Sequence, residues 1–501
     1  MLGQAPLLNG ARVSENLETM SMVAAWRMHA EERPDGPALT VSEHPTVSWG
    51  ELAARTNRLA RAYAELGVGE GDFVTIGLPT SVAFVESMVA ALKLGAVPQP
   101  VSSRLPAGEL AQIIELAQPR LVVGFDPAVH LDHQVLASNP PIDDHDDGPL
   151  PEAVAPAYKA PTSGGSTGRP KIILSGTPAV IPVVEGRPTP VGIPADSVVM
   201  FPSPLYHNMG VLGTLLGLSG GSHVVLQEHF DAELTLRLID RHRVVSAWLV
   251  PTHMNRIWRL PAAVRESHDI SSLAVLLHGG GPCPAELKRA WINWLGPDRI
   301  IEMYTATEAA AVTLCSGSEW LERPGTVGRC FMGEMAIFDE DGVPVAAGDL
   351  GTIWMRRPSG SDRTYSYIGE ESEERDDGWD TAGDLGWMDD EGYLFLADRR
   401  TDMIVSGAAN IYPAEVEAAL AAHPSVIDCV VIGLPDGDLG QRVHAIVQTD
   451  ADTLEEQALR EHLAGRLVLY KTPRTYEFTA LPLRDDAGKV RRSTLRDQRS
   501  R

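Results

Sequence analysis

The residues densest in chemistry run Thr162-Ser163-Gly164-Gly165-Ser166-Thr167-Gly168-Arg169-Pro170-Lys171. Glycines permit positive φ, so successive backbone N–H groups can converge on one phosphate, while the hydroxyls add donors and Lys171 adds charge. The P-loop of an ordinary nucleoside triphosphatase ends in Gly-Lys-Ser/Thr and opens a helix. Here Gly168 is followed by Arg169-Pro170-Lys171, so that spacing fails. A flexible Gly/Ser/Thr linker is the plainer alternative; the unbroken grouping of donors speaks against it.

Four further clusters lie downstream. Tyr304-Thr305-Ala306-Thr307-Glu308 offers an aromatic face, hydroxyls and a carboxylate, suited to base stacking, phosphate contact and Mg²⁺. Thr381-Ala382-Gly383-Asp384 sets an acid beside a tight turn, where ribose hydroxyls can be held, although a surface turn has the same composition. Asp398-Arg399-Arg400-Thr401-Asp402 reads as a hinge or a charged linker. Gly488-Lys489-Val490 puts a lysine on a short glycine-led segment; taken singly it reads as a solvated surface lysine.

These clusters need elements to hold them. Apolar spacing predicts helices over 49–67 and 82–94, and strands over 73–78 and 121–125. That βαβ rhythm predicts mainly parallel sheets with helices on their faces. The Pro- and Asp-rich stretch 139–156 reads as an exposed connection. Alternation resumes over 198–314, with a strand at 244–250 and a helix at 285–295. Beyond Val327 short strands separated by turns at 339–342 and 389–392 predict a smaller β-rich subdomain. Past Asp398 a fresh unit begins, with helices at 413–422 and 454–467 and strands at 429–433 and 444–447. Residues 206–226 lack Asp, Glu, Lys and Arg, yet five glycines with Asn208 and His223 point to a buried strand–helix–strand rather than a membrane span.

A chain of 501 residues exceeds the usual single-domain range, and 44% hydrophobic with 22% charged residues fits a globular protein. The formal net charge of −25 excludes broad attraction to nucleic acid or anionic lipid. Cys283, Cys315, Cys330 and Cys429 lie far apart with no CxxC pair, which suggests reduced thiols rather than disulfides or a zinc site. Residues 1–19 lack the apolar core of a secretory signal, so the expected compartment is the cytoplasm.

Taken together and in order, the motifs resemble the adenylate-forming superfamily of acyl-CoA synthetases, non-ribosomal peptide adenylation domains and firefly luciferase, from about Trp26 to Arg496. The resemblance implies an α/β fold. Its N-terminal domain, 1–397, combines parallel-rich sheets packed with helices and a small β-barrel-like subdomain; a hinge at 398–402 leads to a small mobile α+β lid, 403–501. It further implies ATP and Mg²⁺ as cofactors, a phosphate loop at 162–171, Tyr304 on adenine, Thr307 on phosphate and Glu308 on Mg²⁺. Asp384 and Arg399 would hold ribose, and Lys489 would bridge the acid's carboxylate and the α-phosphate. Gly279, Gly280 and Gly281 would run between adenine and acyl pocket, with His207 as the gate; Trp248 and Met209 hint at room for an aromatic or cyclic acid.

Three departures touch the second half-reaction. Thr305 replaces a glycine and is expected to crowd or repolarise the acyl pocket; Thr401 stands where the hinge pivot is commonly Asp or Lys. Ala408, in Ser406-Gly407-Ala408-Ala409-Asn410, adds a methyl where many CoA ligases have glycine in the pantetheine channel. Stretches 282–297 and 410–417 look like actinobacterial bile-acid and fatty-acyl CoA ligases. The expected activity is therefore transfer of a small-molecule acyl group to CoA, with transfer to a free amine, as in amide bond synthetases, as the alternative.

Overall fold

A computed structural model describes residues 18–128, 133–164, 170–189, 192–308, 310–357, 364–375, 377–399, 402–406, 409–450, 454–485 and 488–500. Helix α1, Trp49–Glu65, starts with a full capping box in which Ser48 and Glu51 each take the other's backbone N–H. Its buried stripe of Trp49, Leu52, Thr56, Leu59, Ala60 and Tyr63 follows the helical period. Helix α2, Val82–Lys93, is buried along almost its whole length and packs on α1.

That burial traps one cation. Lys93 Nζ donates to Asn57 Oδ1 at 2.6 Å and Thr56 Oγ1 at 2.7 Å on α1, and burial pulls its pKa from 10.5 to about 7. Because the folded value is depressed, the stability that this group contributes is full above about 10.5 and is lost as pH falls towards 7. Lys93→Met should remove about 2 kcal/mol of the stability difference between roughly pH 9 and pH 7. The readout is a narrower shift in thermal midpoint between those two pH values; an unchanged shift would refute the assignment.

The largest sheet is built around six parallel strands: β1 (Pro37–Val41), β2 (Val198–Phe201), β3 (His223–Leu226), β4 (Ser246–Leu249), β5 (Val275–Gly279) and β6 (Ile300–Tyr304). They lie in the order β1-β3-β2-β4-β5-β6. Helix α3, Asn208–Ser219, connects β2 to β3, and α4, Pro251–Trp258, follows β4. The charge-free stretch at 206–226 thus holds a helix and one strand; its first strand, β2, ends earlier, at Phe201. The run 202–207 cannot extend that strand, because Pro202 and Pro204 lack the N–H that a ladder needs.

The β-rich run beyond Val327 continues the ladder of this sheet through antiparallel strands, ending with Tyr393–Arg399, and has an apolar core of its own around Val327, Ile353 and Leu394. Its turns are tied by Asp339 and Asp389, whose carboxylates accept backbone N–H groups two and four residues ahead. A second parallel sheet is formed by Phe73–Ile76, Val97–Pro100, Leu121–Val123 and Val135–Leu136.

The C-terminal unit packs helix α5, Pro413–Ala421, and the helix Glu456–Ala464 against a sheet led by β7 (Asp428–Asp436) and β8 (Gly440–Gln448). It docks on α4: Asn255 Nδ2 donates to Ile427 O at 3.1 Å, and Arg259 donates to Val426 O. Arg491 reaches Glu109 of the large unit at 3.0 Å. Among the described residues no helix is long and apolar enough to cross a membrane.

Candidate active site

Four neighbouring parallel strands, in the order β2-β4-β5-β6, end on the same edge of the sheet, and their carboxyl ends carry the site. Open parallel sheets place ligands there because the loops leaving successive strands converge. After β2 the chain turns to His207, the N-cap of α3. After β4 comes Val250, the N-cap of α4; after β5, Gly280 and Gly281; after β6, residues 305–308.

The glycine run has a steric cause. A Cβ on Gly279 would stand 2.5 Å from Met303 O, and Gly280 sits at φ +79. Met209 Cε lies 3.8 Å from the Cβ position of each, while nothing lies within 4 Å of that of Gly281, so the turn keeps open space above it. Trp248 on β4 is buried and meets Phe201 edge-to-face at 5.2 Å, a wall of the core beneath α3. The Thr305 hydroxyl donates to Ala311 O at 2.9 Å.

The expected phosphate-loop segment begins and ends in two antiparallel strands. Thr162–Gly164 pairs with Pro170–Ser175, Ser163 opposite Lys171. Its tip, with Gly165, Ser166, Thr167 and Gly168, lies outside the described residues, as do Thr401 and Ala408; Ser163 and Arg399 are described by backbone alone. The Thr162 hydroxyl is buried with no hydrogen-bond partner among the described residues. An orphaned hydroxyl costs free energy unless a ligand or water meets it.

Lys171 Nζ lies 2.9 Å from Glu370 and 3.7 Å above the ring of Tyr367. The Tyr367 hydroxyl donates to Glu308 Oε1, and burial, with the Glu308 charge, pushes this phenol's pKa far up, so it stays a donor. Behind them Lys159 is buried, donates to Asn208 Oδ1 and feels the Glu308 carboxylate; burial pulls its pKa to about 7. The half-buried Thr307 precedes Glu308. Tyr304 donates its hydroxyl to Asp384 Oδ2 at 2.8 Å, joining two motifs 80 residues apart. Asp384 follows a turn in which the Gly383 N–H donates to Thr381 Oγ1 at 3.0 Å, and it pairs in register with Arg399.

The lid completes the ring. Gly488 lies so close to α4 that a Cβ on it would meet Thr252 Oγ1 at 2.7 Å, which carries the exposed Lys489 to the mouth between β4 and α3. Asp485 Oδ2 lies 3.4 Å from His207 Nε2. Sequence reasoning singled out neither Lys159, Tyr367, Glu370 nor Asp485. Lys159 left one signal, a lone charge among Ala157, Ala160 and Pro161 just before the phosphate loop. Tyr367 and Glu370 left none, since only pairing of the strand Tyr365–Ile368 with Pro170–Ser175 brings them in.

Residues 26–365 match the AMP-binding enzyme family, and 415–489 match the AMP-binding enzyme C-terminal domain. The chain is 31% identical over 487 residues to the feruloyl-CoA synthase of an Amycolatopsis species, covering 92% of this chain and 96% of the relative. It is 27% identical over 474 residues to a long-chain-fatty-acid–CoA ligase of Mycobacterium tuberculosis, covering 91% and 93%. The o-succinylbenzoate CoA synthetase of Bacillus subtilis, solved with its acyl-adenylate intermediate, superposes with a TM-score of 0.78 at 25% identity, covering 96% of this chain and 99% of that one.

Proposed function

The chain belongs to the family of AMP-binding enzymes, and from that premise we propose that it joins a small carboxylic acid to CoA. It is an AMP-forming acid ligase: acyl-adenylate forms with release of pyrophosphate, and the acyl group then moves to an acceptor with release of AMP. The observation that carries this reading is the docking of the Lys489 loop against residues that follow β2 and β4, at the edge of the sheet where β5 and β6 also end.

The residues fit ATP. The orphaned Thr162 hydroxyl and the Lys171 ammonium flank the phosphate loop, open space stands over Gly281, and Tyr304 offers its ring beside the Asp384 carboxylate. They also fit magnesium: Glu308 supplies the single carboxylate that such an ion takes when water and phosphate oxygens fill the rest of its shell. When bound, the ion screens the charge on the phosphates.

This chain's own groups then do the following. Thr307 meets phosphate, Asp384 and Arg399 hold the ribose, and His207 bounds the acyl pocket. Lys489 stands between the acid's carboxylate and the α-phosphate. The carboxylate oxygen attacks that phosphorus, the bond to the β-phosphate oxygen breaks, and pyrophosphate leaves. Water exclusion by the docked lid protects the mixed anhydride. Residues 398–402 act as the hinge between the units 1–397 and 403–501. The second step is thiol attack on the acyl carbon with AMP leaving.

CoA is favoured as acceptor because the relatives named above are CoA ligases or synthases. Their acids, ferulate, long-chain fatty acids and o-succinylbenzoate, define the first panel. The four cysteines, all free thiols, suit a reducing cytoplasm. The test incubates enzyme, ATP, magnesium and each acid with CoA or with a free amine, and weighs the products. Thioester with AMP is the expected outcome; ready amide formation without thioester would assign the acceptor to the amine instead.

A further inference from the structure

The lid loop that carries Lys489 is closed by one residue. Asp485 N donates to Lys489 O at 2.9 Å, and Lys489 N donates back to Asp485 Oδ1 at 2.9 Å. The other carboxylate oxygen, Oδ2, lies 3.4 Å from Nε2 of His207, whose side chain is only 14% exposed. One carboxylate thus holds the backbone of the lid's lysine and faces the imidazole of the acyl gate, 278 residues earlier in the chain.

We propose that Asp485 is a positioning residue for adenylation, registering the Lys489 loop against His207 so that the gate is held shut only while the lysine stands over the acid's carboxylate. The inference rests on the ligase reading above. Its geometry is specific to the docked lid. Gly488, at φ +75, seats the loop against Thr252 and Val250, and no residue with a side chain fits there. Among the described residues, two neighbouring cations are engaged elsewhere. Arg484 is engaged by Asp428 at 3.0 Å and by Glu417 at 3.6 Å, and Lys159 is held by Asn208, the residue after His207. Tyr206 leans on the gate ring, with centroids 4.3 Å apart. When the lid turns for acyl transfer, Asp485 leaves with the loop and the imidazole loses its charged partner. The ring is then released to swing aside as the acceptor enters.

A double-mutant cycle tests this in each half-reaction. Asp485→Asn keeps an acceptor for the Lys489 amide and removes the charge; His207→Asn removes the imidazole. With the best acid of the panel, each single variant is expected to slow pyrophosphate release by about tenfold, and the double variant to be no slower than either. Asp485→Asn should transfer the acyl group from presynthesised acyl-AMP to CoA without loss, because the lid has then turned away. Independent, multiplying effects on adenylation, or equal loss in both half-reactions, would overturn the inference while leaving the ligase reading intact. A wild-type enzyme that releases no pyrophosphate with any acid would overturn that reading, and the inference with it.

Discussion

Lys489→Ala should slow acyl-AMP formation by roughly 100- to 1,000-fold, the loss seen when one preorganised charge-stabilising group is removed. An acid's carboxylate and a phosphate are both anions. At about 4 Å, with an effective dielectric near 20, each unit pair of charges repels by roughly 4 kcal/mol. In the proposed mechanism the Lys489 ammonium stands between them and converts that repulsion into attraction, from a loop whose Gly488 is pressed on Thr252 and Val250. Transfer from presynthesised acyl-AMP to the acceptor has no such meeting of anions and should be largely retained. The measurement is single-turnover kinetics of each half-reaction. Equal loss in both would mean that Lys489 supports the lid rather than the chemistry.

The two half-reactions depend on parts of the chain that differ in how plainly the sequence displays them. Helices α1 and α2 were readable because their apolar period is a local property: 49–67 against Trp49–Glu65, and 82–94 against Val82–Lys93. The Asp turns at 339 and 389 were readable because an Asp side chain binds its own backbone. The stretch 206–226 was readable as a buried helix and a following strand, but not in where its first strand ends, which Pro202 and Pro204 set at Phe201. Strand order is not local at all; nothing along the chain says that β3 inserts between β1 and β2.

The site shows the same division. Each motif was visible as a string, but their meeting was legible only through resemblance. The Tyr304–Asp384 bond spans 80 residues, and the Lys171–Tyr367–Glu308 cluster needs two separate strands brought into one sheet. Thr305 shows the limit from the other side. A hydroxyl in a glycine position is visible in the sequence, but that the Ala311 carbonyl accepts from it is visible only in the fold.

Glu417→Ala should weaken the lid by about 3–5 kcal/mol, the usual cost of removing one member of a buried charged group. Glu417 on α5 is 8% exposed, and the two arginines it meets bracket Lys489. Arg492 Nη2 lies 2.7 Å from Oε1 and Arg484 Nη2 lies 3.6 Å from Oε2, while Val431 N donates to Oε1 at 2.8 Å. Asp428 and Asp402 hold the outer sides of the same two guanidinium groups at 3.0 Å each. Removing the shared carboxylate leaves two cations facing one another at both ends of the lysine loop. The loop then loses its anchorage as well as the lid its stability. Burial raises the Glu417 pKa, although both arginines pull it down. Glu417→Gln keeps an acceptor for the Val431 N–H and should cost less than half as much as the alanine variant. Calorimetry should show an earlier transition for the alanine variant that the wild type lacks, with adenylation falling more than acyl transfer. An unchanged melting profile with full adenylation would show that the loop is held by Asp428 and Asp402 alone.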